Sequence, residues 1–333
     1  MSTIDRRKFL QRMLVLGGGA LATAALLSLL SCSKEETPEL PTDNTTPSDN
    51  TTPPDDTTPP DDTSSPAYLA VARGSSPATL VQRSIDALGG IGRFVKPGND
   101  VIIKPNICVP NRAPEYAATT NPEVVAALVT LCLGVGAGRV RVMDNPFGGS
   151  AEESYADSGI AEAVEAAGGE MEVMADMKFQ NTAIPNGQSI TSCRVYQDIL
   201  EADVLIDVPI AKDHGDAVLT LGMKNMLGVV SNPGSYHTDM AERVTDLTSL
   251  VMPDLTVVDA TRILTKGGPT GGKLDYVKQM NTVIASHDIV AADSYAATLF
   301  GKTARDVPIV YAGARRGLGT MDLSSIKIEE ITV

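Results

Sequence analysis

From residue 67 onward, short apolar runs rich in β-branched residues alternate with stretches whose apolar residues recur at helical spacing. That alternation is the mark of a sheet with helices on its faces. Tyr68–Arg73, Val101–Lys104, Arg139–Asp144, Glu170–Met174, Val204–Ile210, Leu255–Asp259, Thr282–Ala285 and Ile326–Thr332 read as strands, with a weaker β segment around Ser192–Val195. Ser76-Pro77 opens a helix to about Leu88, and Asn121-Pro122-Glu123 caps one to about Leu133. Further helices run through Glu162–Ala167, from Asp239 to about Leu250 with Glu242 completing a capping box, and from Asp288 to Phe300, closed by Gly301. The predicted fold is α/β: a mostly parallel or mixed β-sheet with helices on both faces, in one domain over 67–333.

The first 66 residues follow a different pattern. Asp5-Arg6-Arg7-Lys8-Phe9-Leu10-Gln11, the apolar run Met13–Leu30 and Leu29-Leu30-Ser31-Cys32 read as a twin-arginine leader ending in a lipobox over 1–32. The expected partners are the twin-arginine export machinery, which carries folded chains, and the membrane, through a lipid on Cys32. The alternative is that Met13–Leu30 stays in the bilayer as an anchor, although it falls short of the roughly 20 residues that span comfortably. Either way the folded part is expected on the periplasmic or other extracytoplasmic face. Residues 33–66 are rich in Thr, Pro, Asp and Ser, a disordered spacer by composition.

The net charge is −14, and residues 67–333 keep about −9 of it after leader and spacer are set aside. An evenly acidic domain argues against nucleic acid as partner. The absence of Trp, with only eight Tyr and five Phe, argues against stacking platforms. Cys108, Cys132 and Cys193 are far apart, so no four-thiolate iron–sulfur cluster is expected within this chain. An oxidising compartment would permit a Cys108–Cys193 disulfide.

Charged and amide side chains stand at the ends of the apolar runs: Lys104-Pro105-Asn106, Asp144-Asn145-Pro146, Lys212-Asp213-His214 and Asp259. Ligands of open α/β sheets bind at the carboxyl edge of the strands. A lysine abutting a buried strand needs an anionic partner, so Lys104 and Lys212 point to a small anionic ligand. In Thr220-Leu221-Gly222-Met223-Lys224-Asn225, a helical reading puts Thr220 and Lys224 on one face. His214 and His237 are read as general bases or, with Asp259, as ligands of a divalent metal, the one cofactor the residues suggest. His287 is read as structural and Asp293 stays ambiguous. Gly134–Gly138 is a helix-to-strand turn, in the wrong order for a dinucleotide fingerprint. Gly267-Gly268-Pro269-Thr270-Gly271-Gly272 either closes over a ligand with backbone N–H groups, Gly268 and Gly271 among them, or is a flexible hairpin loop.

Taken in order, these stretches resemble the DUF362 family, a domain of unknown function, over about Val101 to Leu323. The resemblance rests on Lys104-Pro105-Asn106, Thr119-Thr120-Asn121-Pro122-Glu123, Lys212-Asp213-His214, Lys224-Asn225-Met226-Leu227-Gly228-Val229, His237, the Gly267–Gly272 loop and Asp288 to Asp293. The family usually reads Lys-Thr-His where this chain has Lys-Asp-His, so Asp213 adds a carboxylate that offers a partner to Lys212 or to a metal. Several relatives carry a ferredoxin-like module, which implies redox partners; the cysteines here are not clustered in that way. The expectation is an enzyme in which Lys104, Lys212 and Lys224 hold an anion, Asn106 and Asn225 orient it, and His214 or His237, with Lys212, carries the chemistry. The alternatives are an anion-binding lipoprotein without catalysis and an accessory protein of a redox system.

Overall fold

A strand that is apolar without a break, as in Val101-Ile102-Ile103, must be covered on both faces, and that requirement organises this molecule. The computed structural model describes residues 65–333; the leader, Cys32 and nearly all of the spacer lie outside the described residues. The strands are β1 (Leu69–Arg73), β2 (Asp100–Pro105), β3 (Arg139–Val142), β4 (Glu170–Met171), β5 (Phe179–Ala183), β6 (Ser192–Tyr196), β7 (Val204–Val208), β8 (Ile210–His214), β9 (Val218–Thr220), β10 (Leu255–Leu264), β11 (Val277–Ser286) and β12 (Ile328–Thr332). The main sheet is ordered β12-β1-β11-β10-β7-β2-β3-β4, with β8 beside the second half of β10 and β9 beside β8. Only β11 and β9 run against their neighbours, so the sheet is mixed but mostly parallel. β5 and β6 form a separate antiparallel pair.

The helices are α1 (Pro77–Ala87), α2 (Pro122–Gly134), α3 (Ala151–Asp157), α4 (Ile160–Ala166), α5 (Gln197–Glu201), α6 (Gly222–Asn225), α7 (Met240–Leu250), α8 (Ile289–Thr298) and α9 (Pro308–Arg315). Val101 and Ile103 of β2 face α1, α2 and α4 through Leu80, Ile85, Leu128 and Val164. Ile102, pointing the other way, joins the core under α7, α8 and α9 with Leu247, Val290 and Val310. The caps expected from sequence form at Ser76, Asn121 and Asp288, whose side chains accept from Thr79, Glu123 and Ala291 N–H. The turn between α2 and β3 is also as expected.

Several expectations fail for identifiable reasons. β7 stops at Val208 because Pro209 has no N–H to give; its carbonyl accepts from Asp259 N at 2.8 Å and the chain resumes as β8. Lys212, Asp213 and His214 therefore lie within a strand, not in a loop after one. β10 and β11 are longer than their apolar cores, and β4 is shorter. Asp239 makes no capping box: it is left-handed at φ 56°, and its carboxylate accepts from Ser189 Oγ at 2.6 Å instead. Thr220 ends β9 and is not on the Lys224 helix. Cys108, Cys132 and Cys193 are all free thiols, so the disulfide between Cys108 and Cys193 is not made.

Candidate functional site

β2, β3 and β7 run parallel, and past their C-terminal ends lies a cavity of about 600 Å³. Its wall includes Lys104 from the end of β2 and Asn106 just after it, Asp144 after β3, Lys212 and His214 from β8, and Asp216 from the hairpin tip. Thr220, Lys224 and Asn225 of the β9–α6 segment and His237 also line it. Stretches far apart along the chain thus meet in one cavity.

Lys104 is fully buried and ion-paired to Asp144 at 2.6 Å. It also donates to the Pro105 carbonyl at 2.8 Å and to Asn225 Oδ1 at 2.9 Å. Burial pushes the Asp144 carboxyl up while Lys104 and the Ile107 N–H pull it back; the contact itself has the geometry of a charged pair. The backbone must come close to allow it. A Cβ on Gly228 would stand 1.8 Å from Asp144 Oδ1 and 2.5 Å from Lys104 Nζ.

Lys212 is equally buried, yet its donors go to neutral acceptors, Asn106 Oδ1 at 2.8 Å and the Ala118 carbonyl at 2.6 Å. Burial lowers its pKa. Asp213 does not partner it; Asp213 Oδ2 accepts from Gly268 N at 3.1 Å and so ties down the glycine loop. Asn106 and Asn225 are bonded to each other at 2.8 Å, and Asn225 also donates to Asp207 Oδ1 at 2.7 Å. Both line the cavity, and their Oδ1 atoms accept from the lysines, Asn106 from Lys212 and Asn225 from Lys104.

Lys224 differs from the other two. It is only partly buried, and among the described residues no hydrogen bond or ion pair holds its amine. Burial and then the neighbouring Lys212 pull its pKa from 10.5 down to about 8. In the same cavity wall the Thr220 hydroxyl is buried without a hydrogen-bond partner among the described residues.

The histidines adopt distinct states. His214 Nδ1 accepts from both Asp216 N and Ala217 N at 3.1 Å, which fixes the proton on Nε2. Burial and Lys224 lower its pKa to about 4, so it is neutral and a donor near pH 7. His237 Nδ1 lies 3.0 Å from Asp216 Oδ2, so Asp216 sets the orientation of the ring. The two rings are 6.0 Å apart.

The expected metal set of His214, His237 and Asp259 is not assembled. β10 continues past Asp259, whose buried carboxylate accepts from Asn121 N at 2.8 Å and from Thr261 N and Oγ1, fixing the start of α2. A metal-bound His214 would also need the Nε2 lone pair that its tautomer lacks. Among the described residues no three His, Cys, Asp or Glu side chains gather in ligand geometry. Gly268 and Gly271 are not in the wall either; Pro269 is the loop's contribution. His287 packs edge-on against Tyr68, outside the site.

Sequence reasoning missed Asp216 and Asp207. Asp207 lies inside the most apolar strand, fully buried, with Oδ2 unpartnered and its pKa held well up by burial. An acid in the middle of Val204–Val208 was the available signal. Asp293, ambiguous in sequence, accepts from Gly222 N at 2.7 Å and Met223 N at 2.9 Å and so holds the start of α6, with burial raising it to about 7.

A thylakoid-associated protein of Synechocystis sp. is 28% identical over 245 residues, covering 70% of this chain and 73% of the relative. Among solved structures, the lactate racemase apoprotein of Thermoanaerobacterium thermosaccharolyticum is similar with a TM-score of 0.41 at 12% identity, over 66% of this chain and 54% of that one. A protein from Thermotoga maritima is similar with a TM-score of 0.37 at 10% identity, over 69% and 60%. This chain thus spans little more than half the length of those two structures. The sequence profile described as "Domain of unknown function (DUF362)" matches residues 101–298. With more than half of its length under that profile, the chain belongs to the DUF362 family.

Proposed function

We propose that this protein is an exported, membrane-tethered enzyme acting on a small carboxylate- or phosphate-bearing substrate in the strand-edge cavity. One observation carries the reading: in an acidic protein, Lys212 and Lys224 face a common cavity and, among the described residues, no carboxylate is paired to either. Lys104 is already neutralised by Asp144. Two desolvated ammoniums with depressed pKa values gain most from an anion that replaces the water they lost. The unpartnered Thr220 hydroxyl and the fixed Nε2–H of His214 add donors for the same anion. Asp216 orients His237 as the proton carrier, the usual arrangement of a base and its orienting carboxylate.

Export and tethering rest on Arg6-Arg7 and Cys32. The Synechocystis relative is named as thylakoid-associated, and a lipid tether likewise gives association with a membrane. Calorimetry with inorganic phosphate and with short carboxylates tests the site. Saturable binding that Lys224→Met weakens by about 10-fold or more supports it. Equal affinity in that variant, or no binding of either class, refutes it. Retention of His237→Ala binding with loss of turnover separates an enzyme from a protein that only captures anions.

A further inference from the structure

This inference rests on the anion-binding reading and assigns it a substrate class. Three lysines line the cavity, but only one presents a free amine. Lys104 is locked by Asp144, Pro105 and Asn225. Lys212 spends two of its three donors on Asn106 and Ala118. Lys224 lines the same cavity as Lys212, is only partly buried, and is unpartnered among the described residues.

We propose that Lys224 is a Schiff-base lysine and that the substrates of this cavity are 2-oxo acids, whose carboxylate sits on Lys212 while the adjacent carbonyl meets the Lys224 amine. A fixed ammonium beside a free amine matches the adjacency of carboxylate and ketone in such acids. A second cation next to a desolvated lysine is one of the established ways to keep an amine nucleophilic, and the depressed pKa of Lys224 agrees with it.

The step balances without an oxidant or reductant. The Lys224 nitrogen lone pair attacks the carbonyl carbon, and the carbonyl π pair moves onto oxygen, which takes a proton to give a carbinolamine. Nitrogen gives up one proton, the hydroxyl takes another, and water leaves as the nitrogen lone pair forms the C=N bond of a protonated imine. Amine, ketone and one proton become iminium and water. The His214 Nε2–H is the donor for the oxygen, and His237, held by Asp216, relays the protons. Ile107, Phe147, Leu227 and Pro269 give the alkyl end an apolar wall.

The test is reductive trapping. The full chain is incubated with pyruvate and sodium cyanoborohydride, and the modified lysine is located by peptide mass spectrometry. The expected result is one dominant adduct on Lys224, adding one pyruvate less one oxygen, and absent from Lys224→Arg. Pyruvate should be trapped there about 10-fold or more faster than acetone, after division by the same ratio at free Nα-acetyllysine. Equal modification of surface lysines, or no preference for pyruvate over acetone, overturns the proposal. Calorimetry in parallel separates the two readings. Pyruvate and lactate binding with Lys224 unmodified removes the Schiff base and keeps the anion site; failure of pyruvate, lactate and phosphate to bind removes both.

Discussion

Lys224→Met should make the empty protein more stable while destroying its anion site. In the folded protein the Lys224 pKa falls from 10.5 to about 8. At about 1.4 kcal/mol per pH unit, that drop amounts to roughly 3 kcal/mol of unfavourable charge burial at pH 7, the upper end of what relaxation and water entry leave. Methionine keeps most of the stem packing and removes the charge. Above pH 10.5 the amine is neutral in both folded and unfolded chains, and the penalty is nil. Between about 8 and 10.5 the unfolded chain binds more protons, so wild-type stability gains with rising pH; below 8 the full penalty applies. Urea unfolding in an anion-free buffer should therefore show the variant ahead by about 2–3 kcal/mol at pH 7, with the gap closing towards pH 10. Adding an anion at 100 times its Kd should stabilise the wild type by about 2.7 kcal/mol and leave the variant unmoved. A variant no more stable than wild type at pH 7, or a gap that does not narrow with pH, refutes the premise that Lys224 is an uncompensated buried cation.

Gly228→Ala places a Cβ 1.8 Å from Asp144 Oδ1 and forces the Lys104–Asp144 pair apart, which should cost about 3–5 kcal/mol in chemical denaturation. Val218, a β-branched residue held at φ 69° in the hairpin that carries His214 and Asp216, should be stabilised by up to about 1 kcal/mol on replacement by Gly; a clear loss of stability in the same assay would show that its side-chain packing outweighs the strain. Cys108, Cys132 and Cys193 are buried thiols whose pKa values burial raises, Cys132 to about 12 and Cys193 to about 11. Thiol titration at pH 8, with Cys32 counted apart, should find all three silent in the folded state and all three reactive after unfolding without reductant, whereas a Cys108–Cys193 disulfide would leave only Cys132 of the three.

The sequence by itself determined the layers and the residues available for chemistry. The continuous apolar run Val101-Ile102-Ile103 sends neighbours to opposite, equally covered faces, and capping at Ser76, Asn121 and Asp288 is a contact between residues two or three apart, so both are written locally. The convergence of Lys104, Lys212, His214 and Lys224 was legible for a related reason, since polar residues abutting parallel strands end on one rim. Tertiary structure alone decided who pairs with whom. Asp144 takes Lys104 and leaves Lys212 to amides, Asp213 goes to the glycine loop, and Asp259 is drawn into β10 to hold α2. Two backbone N–H groups choose the tautomer of His214, and Asp216 captures His237. Partner choice depends on distances of a few ångströms between residues up to 138 positions apart, and no pattern of neighbours along a chain encodes such distances.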